Sequence, residues 1–333
     1  MRALVLHAPG KWAWEDIKEP DGEGVLVRVQ QVGICGTDYQ AIRGCQPFFT
    51  YPRRLGHEIS VQIVESAGDL AQGTYCAVNP YMFCADCQAC KRGDTNCCYE
   101  LSVLGIHQDG AFTRLLRLPA FSLHPSTSLP PAILALVEPL VVGYHAVKRA
   151  RISERDQVLV VGQGPIGLAC ALIANALGAD LAVMDIREDR RQSGLRLTER
   201  ALAPGENPEI VVREAFDGDL PVTVIEATGN RAAVHQSYQL VAPGGTLVFV
   251  GLYVGNFEFD DPDFHRRELT LRASRNGTHH DFCAVMSMLE DGTIDPSWFI
   301  TDRIPFTEVP DRIKSLDGAQ GCIKAMVDMN AAG

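Results

Sequence analysis

Between residues 84 and 98 the chain reads CADCQACKRGDTNCC, so five of its 11 cysteines fall within one short stretch while the rest are scattered singly. Cys84, Cys87, Cys90 and Cys98 give the spacing CxxCxxCx7C, four soft thiolates within reach of one tetrahedral Zn²⁺. Four protein ligands leave no coordination position for a substrate, so this metal is structural and staples a loop too poor in apolar residues to fold alone. Cys97 stands outside the set. The alternatives are a reduced metal-free loop or an oxidised one. A DNA-binding finger is disfavoured, because no HxxxH and no basic helix follow.

A second chemical signal is VLVVGQGPIGL, which sets Gly162, Gly164, Pro165, Ile166 and Gly167 directly after an apolar strand and at the start of an apolar helix. In that context GxGxxG is a pyrophosphate turn: one glycine bends the chain, one admits the phosphates, and one permits close helix packing. Asp185 closes the next strand, where a carboxylate accepts from both adenosine ribose hydroxyls and repels a 2′-phosphate. That favours NAD over NADP. Arg187, Arg190 and Arg191 pull the other way, since a guanidinium pairs with such a phosphate, although a solvated helix surface accounts for most of them.

Three separate pieces hold further metal-ligand residue types: Cys35 in GICGTD, His57 and Glu58 in LGHEI, and Glu138 in VEPL. Spacing does not join them, and a single Cys or His is usually a core residue.

These pieces need elements to position them, and 333 residues are about twice an ordinary domain, which predicts two. Residues 1 to about 145 carry short β-type runs at Ala3–Leu6, Val25–Val29 and Ile59–Val64, broken by turn residues. From Gln157 onward, near-continuous apolar strands at 158–161, 181–184, 222–225, 246–250 and Leu269–Ala273 alternate with helical segments. That pattern predicts a doubly wound parallel sheet, hence an α/β chain overall. Residues Asp281–Asp291 read as helix, followed by a Pro-rich tail.

Composition limits the partners. A formal net charge of −11 with no basic run disfavours nucleic acid. The N-terminus lacks an export signal and the apolar stretches are interrupted by Glu138, Pro139, Asn175 or Asp180, so neither secretion nor a membrane span is expected. The cytoplasm follows as the expected compartment, where thiols stay reduced.

Taken in order, GICGTD, GHE, the cysteine loop with its Gly93, Asn96 and Cys98, DGAF at 109–112, EPL and GxGxxG resemble the zinc-dependent medium-chain dehydrogenases along essentially the whole chain. The resemblance implies a GroES-like, mainly-β catalytic domain at 1–145 plus 281–333 and a Rossmann domain at 146–280. It also implies two zincs, one catalytic and one structural, with NAD as cofactor. Cys35, His57 and Glu58 then look like catalytic zinc ligands, and Glu138 either ligates zinc or binds its water. By the same resemblance Thr37 is a relay hydroxyl and Asp38 orients the ligands; a backbone-bonded Thr37 and a capping Asp38 are the plainer readings. Many relatives carry His where Gln40 stands, and Gln cannot shuttle a proton as imidazole does.

By the same resemblance, Glu138 in place of a Cys favours the sorbitol, threonine and sugar-acid branch over simple alcohol dehydrogenases. Within it, GCQPFFTYPRRLGHEI, TNCCYELSVLGIHQDGAF, FVGLYVGNFEFDDPDFHRREL and SRNGT look most like sugar-acid dehydrogenases, which implies that a secondary hydroxyl of a sugar acid (L-galactonate-like) or polyol is oxidised to a ketone. Arg275 and Asn276 in ASRNGT match the region that contacts substrate, where Arg275 could clamp a carboxylate or simply face solvent. His107 and Phe49 are weighed as pocket residues against a satisfied loop His and a packed Phe, and Cys45 receives no role. A threonine-type or simple alcohol dehydrogenase is the alternative enzyme, and a non-catalytic NAD-binding redox sensor the alternative outside enzymes. The partners expected are a small-molecule substrate and a second copy of the chain, as homodimer or homotetramer.

Overall fold

The structure, a computed structural model, describes residues 1–330 and resolves two compact units: Met1–Glu138 with the segment from Thr278 onward, and Pro139–Gly277.

The first unit is built on a seven-stranded sheet. Val25–Gly33 lies near its centre, paired antiparallel with Glu58–Ile63 on one side and Lys324–Asp328 on the other. Tyr75–Val78 and Leu123–Ser126 extend one edge, Ile300–Pro305 the other, and Leu115–Leu118 pairs with the first half of Val25–Gly33. The alternation expected of half-buried strands is seen in Val25, Val27 and Val29, which face one apolar core with Val61, Ile63, Phe112 and Leu116. Ile304, Phe306, Val309 and Ile313 complete that core, so the return segment is integral to it.

The region expected to be a Pro-rich tail differs from that expectation. It forms strand Ile300–Pro305, helix Val309–Leu316 and strand Lys324–Asp328, the last of which sits beside the central strand. Pro305 ends its strand and Pro310 lies in the first turn of its helix, positions where proline's missing N–H is not needed.

The second unit holds a six-stranded, wholly parallel sheet. Its spatial order is Ala201–Leu202, Asp180–Met184, Gln157–Val161, Thr223–Glu226, Thr246–Phe249 and Thr270–Ala273, which in chain order is 3-2-1-4-5-6. The order reverses beside Gln157–Val161, and ligands of such sheets bind outside the strand C-termini at that reversal. Helix Pro165–Ala176 leaves from that point and buries every residue from Gly167 to Ala174, as its apolar sequence requires. No helix among the described residues is long and apolar enough to cross a membrane.

Candidate active site and metal centres

In the first unit, strand pairing brings the separate motif pieces together. Gly33 and Glu58 are direct cross-strand partners, and a Cβ on Gly33 would overlap Glu58 Oε2, so glycine is what leaves room for the carboxylate. Just past Gly33 the chain turns into helix Gly36–Arg43, with Cys35 as its N-cap. His57 precedes strand Glu58–Ile63, after Gly56 at φ +99°, where a side chain would meet Val32 and the Ala111 backbone. As a result one ligand atom each from Cys35, His57 and Glu58 lies within 4.8 Å of the other two.

The polar atoms of this cluster are incompletely satisfied by protein. His57 Nδ1 and Glu58 Oε2 are buried without a hydrogen-bond partner, although His57 is 4% exposed and Glu58 fully buried. An orphaned buried carboxylate oxygen such as Glu58 Oε2 is costly, and a thiol, an imidazole and a carboxylate form the N/S/O donor set of a catalytic zinc that keeps an open position. The residues therefore fit such a metal.

Around them lie the groups that set their charge. Asp38 Oδ2 accepts from the Cys35 amide at 2.9 Å, capping the helix, while Oδ1 stands 3.7 Å from His57 Nδ1. Asp38 is thus not the N-cap, which is Cys35, but the third helical residue whose carboxylate reaches back to the N-cap amide and also faces His57. Burial opposes a charge on His57, but Asp38, Cys35 and Glu138 together outweigh it and hold its pKa well above the ordinary value. Thr37 is partly exposed on the first turn of the helix. Cys45 bonds the Gln40 carbonyl through both its amide and its thiol.

Glu138 is buried near this cluster but outside the set of three ligand atoms. Tyr81 Oη donates to its Oε1. Burial, with Glu58 adding repulsion and His57 opposing it, pushes the Glu138 pKa up to about 7.

Two residues of this site escape sequence reasoning, Tyr81 and Lys324. The Lys324 ammonium is 1% exposed and donates to Glu58 Oε1 at 2.5 Å and to the Ile34 carbonyl at 3.1 Å. Burial opposes its charge, yet the acidic groups around it, Glu58 first, raise its pKa. The only sequence signal was a single Lys inside the otherwise apolar run CIKAMV. With one Glu58 oxygen held by Lys324, the other is left facing the cluster.

The cysteine loop gathers as its spacing suggested. Cys87 and Cys90 sulfurs are 3.5 Å apart, Cys84 and Cys98 3.5 Å, and Cys87 and Cys98 4.0 Å. Sulfurs about 2.3 Å from a tetrahedral zinc stand about 3.8 Å from one another, whereas a disulfide needs about 2.05 Å. The backbone amides of Cys90 and then Tyr99 pull the Cys87 thiol down to about 6, while burial and the thiols of Cys87 and Cys98 push Cys90 up to about 12.

In the second unit Gly162 has φ +92° and Gly164 caps helix Pro165–Ala176, with Pro165 opening its first turn and Ile166 next. A Cβ on Gly167 would overlap the Gly162 carbonyl. The helix N-terminus thereby faces the strand end with its amides free for an anion. Asp185 is buried and accepts from the Gln163 amide at 2.7 Å and the Arg187 amide at 2.8 Å. Arg187 pairs with Asp189 and Arg191 with Glu188, whereas Arg190 lies 3.9 Å from Asp185 and near Gly164. Arg190 is therefore the arginine placed at the glycine turn.

Arg275 is exposed beyond strand Thr270–Ala273, and Asn276, at φ +55°, keeps Nδ2 buried without a partner. His107 Nδ1 accepts from the Val103 amide at 3.0 Å, and the Phe49 ring lies 4.9 Å from Tyr51, so each has a local structural contact.

Comparison with known proteins agrees with this geometry. Residues 21–130 match the alcohol dehydrogenase GroES-like domain, and 165–291 match the zinc-binding dehydrogenase domain. The chain is 43% identical over 318 residues to L-galactonate-5-dehydrogenase of Escherichia coli (strain K12), covering 93% of this chain and 94% of that one. An alcohol dehydrogenase of E. coli CFT073 complexed with NADH superposes with a TM-score of 0.91 at 26% identity, covering 99% of both chains. A zinc-binding dehydrogenase of Sinorhizobium meliloti 1021 bound to NADP gives a TM-score of 0.88 at 28% identity, covering 98% of both. The chain belongs to the zinc-binding dehydrogenase family with a GroES-like domain.

Proposed function

We propose that this protein oxidises a secondary hydroxyl of a sugar acid, an aldonate of the L-galactonate kind, to a ketone with NAD. The observation that carries the reading is the Cys35–His57–Glu58 cluster, with Glu58 Oε2 buried and unpartnered. It is supported by the likeness to L-galactonate-5-dehydrogenase.

Zinc held by Cys35, His57 and Glu58 would supply the Lewis acid that makes the hydroxyl proton labile, and NAD would take the hydride. Asp38 holds His57 by its side chain and Cys35 by its amide bond, fixing two ligands from one carboxylate. Lys324 neutralises one oxygen of Glu58, limiting the negative charge at the cluster. Glu138, tethered by Tyr81, is a carboxyl whose pKa burial raises above the ordinary range, which suits it to holding a proton beside the cluster. Thr37 takes the hydroxyl step of the proton path, and Gln40 cannot extend it as a histidine would.

Cys84, Cys87, Cys90 and Cys98 hold a structural zinc. The Gly162–Gly167 turn takes the NAD pyrophosphate and Asp185 the adenosine ribose, with Arg190 alongside it. Arg275 and Asn276 are assigned to the substrate, Arg275 to its carboxylate. A homodimer or homotetramer is supported by the outer edge of strand Thr270–Ala273 and by exposed Leu252, Val254 and Phe259. Sedimentation of the purified protein tests it.

The first test is turnover with NAD, then NADP, against aldonic acids, neutral polyols, threonine and short alcohols. Turnover confined to an aldonate supports the reading. Preference for neutral polyols or threonine would sink the sugar-acid assignment.

A further inference from the structure

Outside both metal centres, the first unit gathers a third set of ligand residues that no motif announces. His124 lies on strand Leu123–Ser126, while His279 and Cys283 are four residues apart on helix His279–Glu290 and so share one helix face. One ligand atom of each lies within 4.8 Å of the other two.

We infer that His124, His279 and Cys283 form an additional binding site for a thiophilic, imidazole-preferring divalent cation such as Zn²⁺, clipping the edge strand to this helix.

The distances fit. His279 Nε2 and Cys283 Sγ are 3.5 Å apart. Nitrogen at about 2.0 Å and sulfur at about 2.3 Å from a tetrahedral zinc are separated by about 3.5 Å. The chemistry fits as well, since two imidazoles and a thiolate suit zinc ahead of magnesium or calcium, which prefer oxygen.

An independent observation also points to a ligand. His124 is only 5% exposed, yet its Nε2 is buried with no hydrogen-bond partner, a state that is costly when left uncompensated. Burial, helped by His279, pushes its pKa down to about 4, so the ring is neutral near pH 7 with a lone pair to give. A protonated imidazole would be useless here.

The surroundings show what the clip would join. The His124 ring packs on those of His279 and Phe282, with centroids 4.9 Å from each. At the far end of the same helix, Ser126 donates to Glu290 at 2.6 Å. Strand and helix are thus tied at one end by a hydrogen bond, and a cation would tie the other. His279 and Cys283 are exposed, so the site opens to solvent and fills or empties with free zinc.

The test compares full-length protein with the His279→Ala/Cys283→Ala double variant. Both positions are exposed and hold none of the roles assigned above, so the variant should fold and turn over normally. Each protein is equilibrated with buffered zinc, its metal content is measured by atomic emission, and its melting temperature is recorded as zinc is added. The expected result is one zinc fewer per chain in the variant, with activity retained and the last zinc-dependent rise in melting temperature lost. Equal zinc content and an equal melting response would overturn the inference, leaving a packed aromatic cluster. Zinc and activity lost together would also overturn it, because the missing metal would then belong to the catalytic centre.

Discussion

Replacing Lys324 by Met removes the counter-charge of a carboxylate that has no water to turn to. The ammonium lies 2.5 Å from Glu58 Oε1, with both side chains at most 1% exposed. At an effective dielectric of about 20 that separation gives roughly 7 kcal/mol of gross attraction, much of it offset by desolvating both ions. Deleting one partner of such a pair typically costs about 3–5 kcal/mol, because the other charge stays buried alone. The metal changes that sum. Zinc held as proposed would put a second cation beside Glu58, so the loss should be smaller with the metal than without it. Urea unfolding of wild type and Lys324→Met, each with and without zinc, reads the difference directly. The cysteine loop's own zinc dependence cancels, since both proteins carry it. A loss below about 1 kcal/mol without zinc, or the same loss in both metal states, would refute the argument that Lys324 is the carboxylate's main partner and that Glu58 faces the metal.

Cys84→Ser should lower zinc content by the structural metal and reduce thermal stability, while kcat of the remaining folded, metal-replete enzyme stays within about twofold of wild type; a large fall in kcat would place that loop in the chemistry. Gly167→Ala puts a methyl group onto the Gly162 carbonyl, so the helix must shift from the strand end and the Kd for NADH should rise at least about tenfold, read by nicotinamide fluorescence. Unchanged binding would remove the turn from the cofactor site. Arg275→Ala should raise KM for an aldonate about tenfold or more and leave a neutral polyol nearly unaffected. Equal effects on both would mean that Arg275 does not clamp a carboxylate. Asp185→Ser should move the ratio of kcat/KM for NAD and NADP toward NADP, with Arg190 available to the added phosphate; a fixed ratio would rule out Asp185 as the discriminating group.

What the sequence by itself determined lies within short spans. The four thiolates of the cysteine loop meet because only a few residues separate them. The glycine turn and Asp185 are neighbours because one strand–helix–strand unit contains them both, and its apolar runs give the parallel strands almost residue for residue. Tertiary structure decided what depends on long-range pairing. Cys35, His57 and Glu58 converge only because Gly33 sits across from Glu58 in the sheet. Lys324 reaches Glu58 because a C-terminal strand, hidden in what read as a Pro-rich tail, docks beside the central one. Tyr81 at Glu138 has no local signal at all. The meeting of His124 with His279 and Cys283 has the same origin: periodicity tells which residues share a face, whereas which faces meet is set by burial of apolar area over the whole unit.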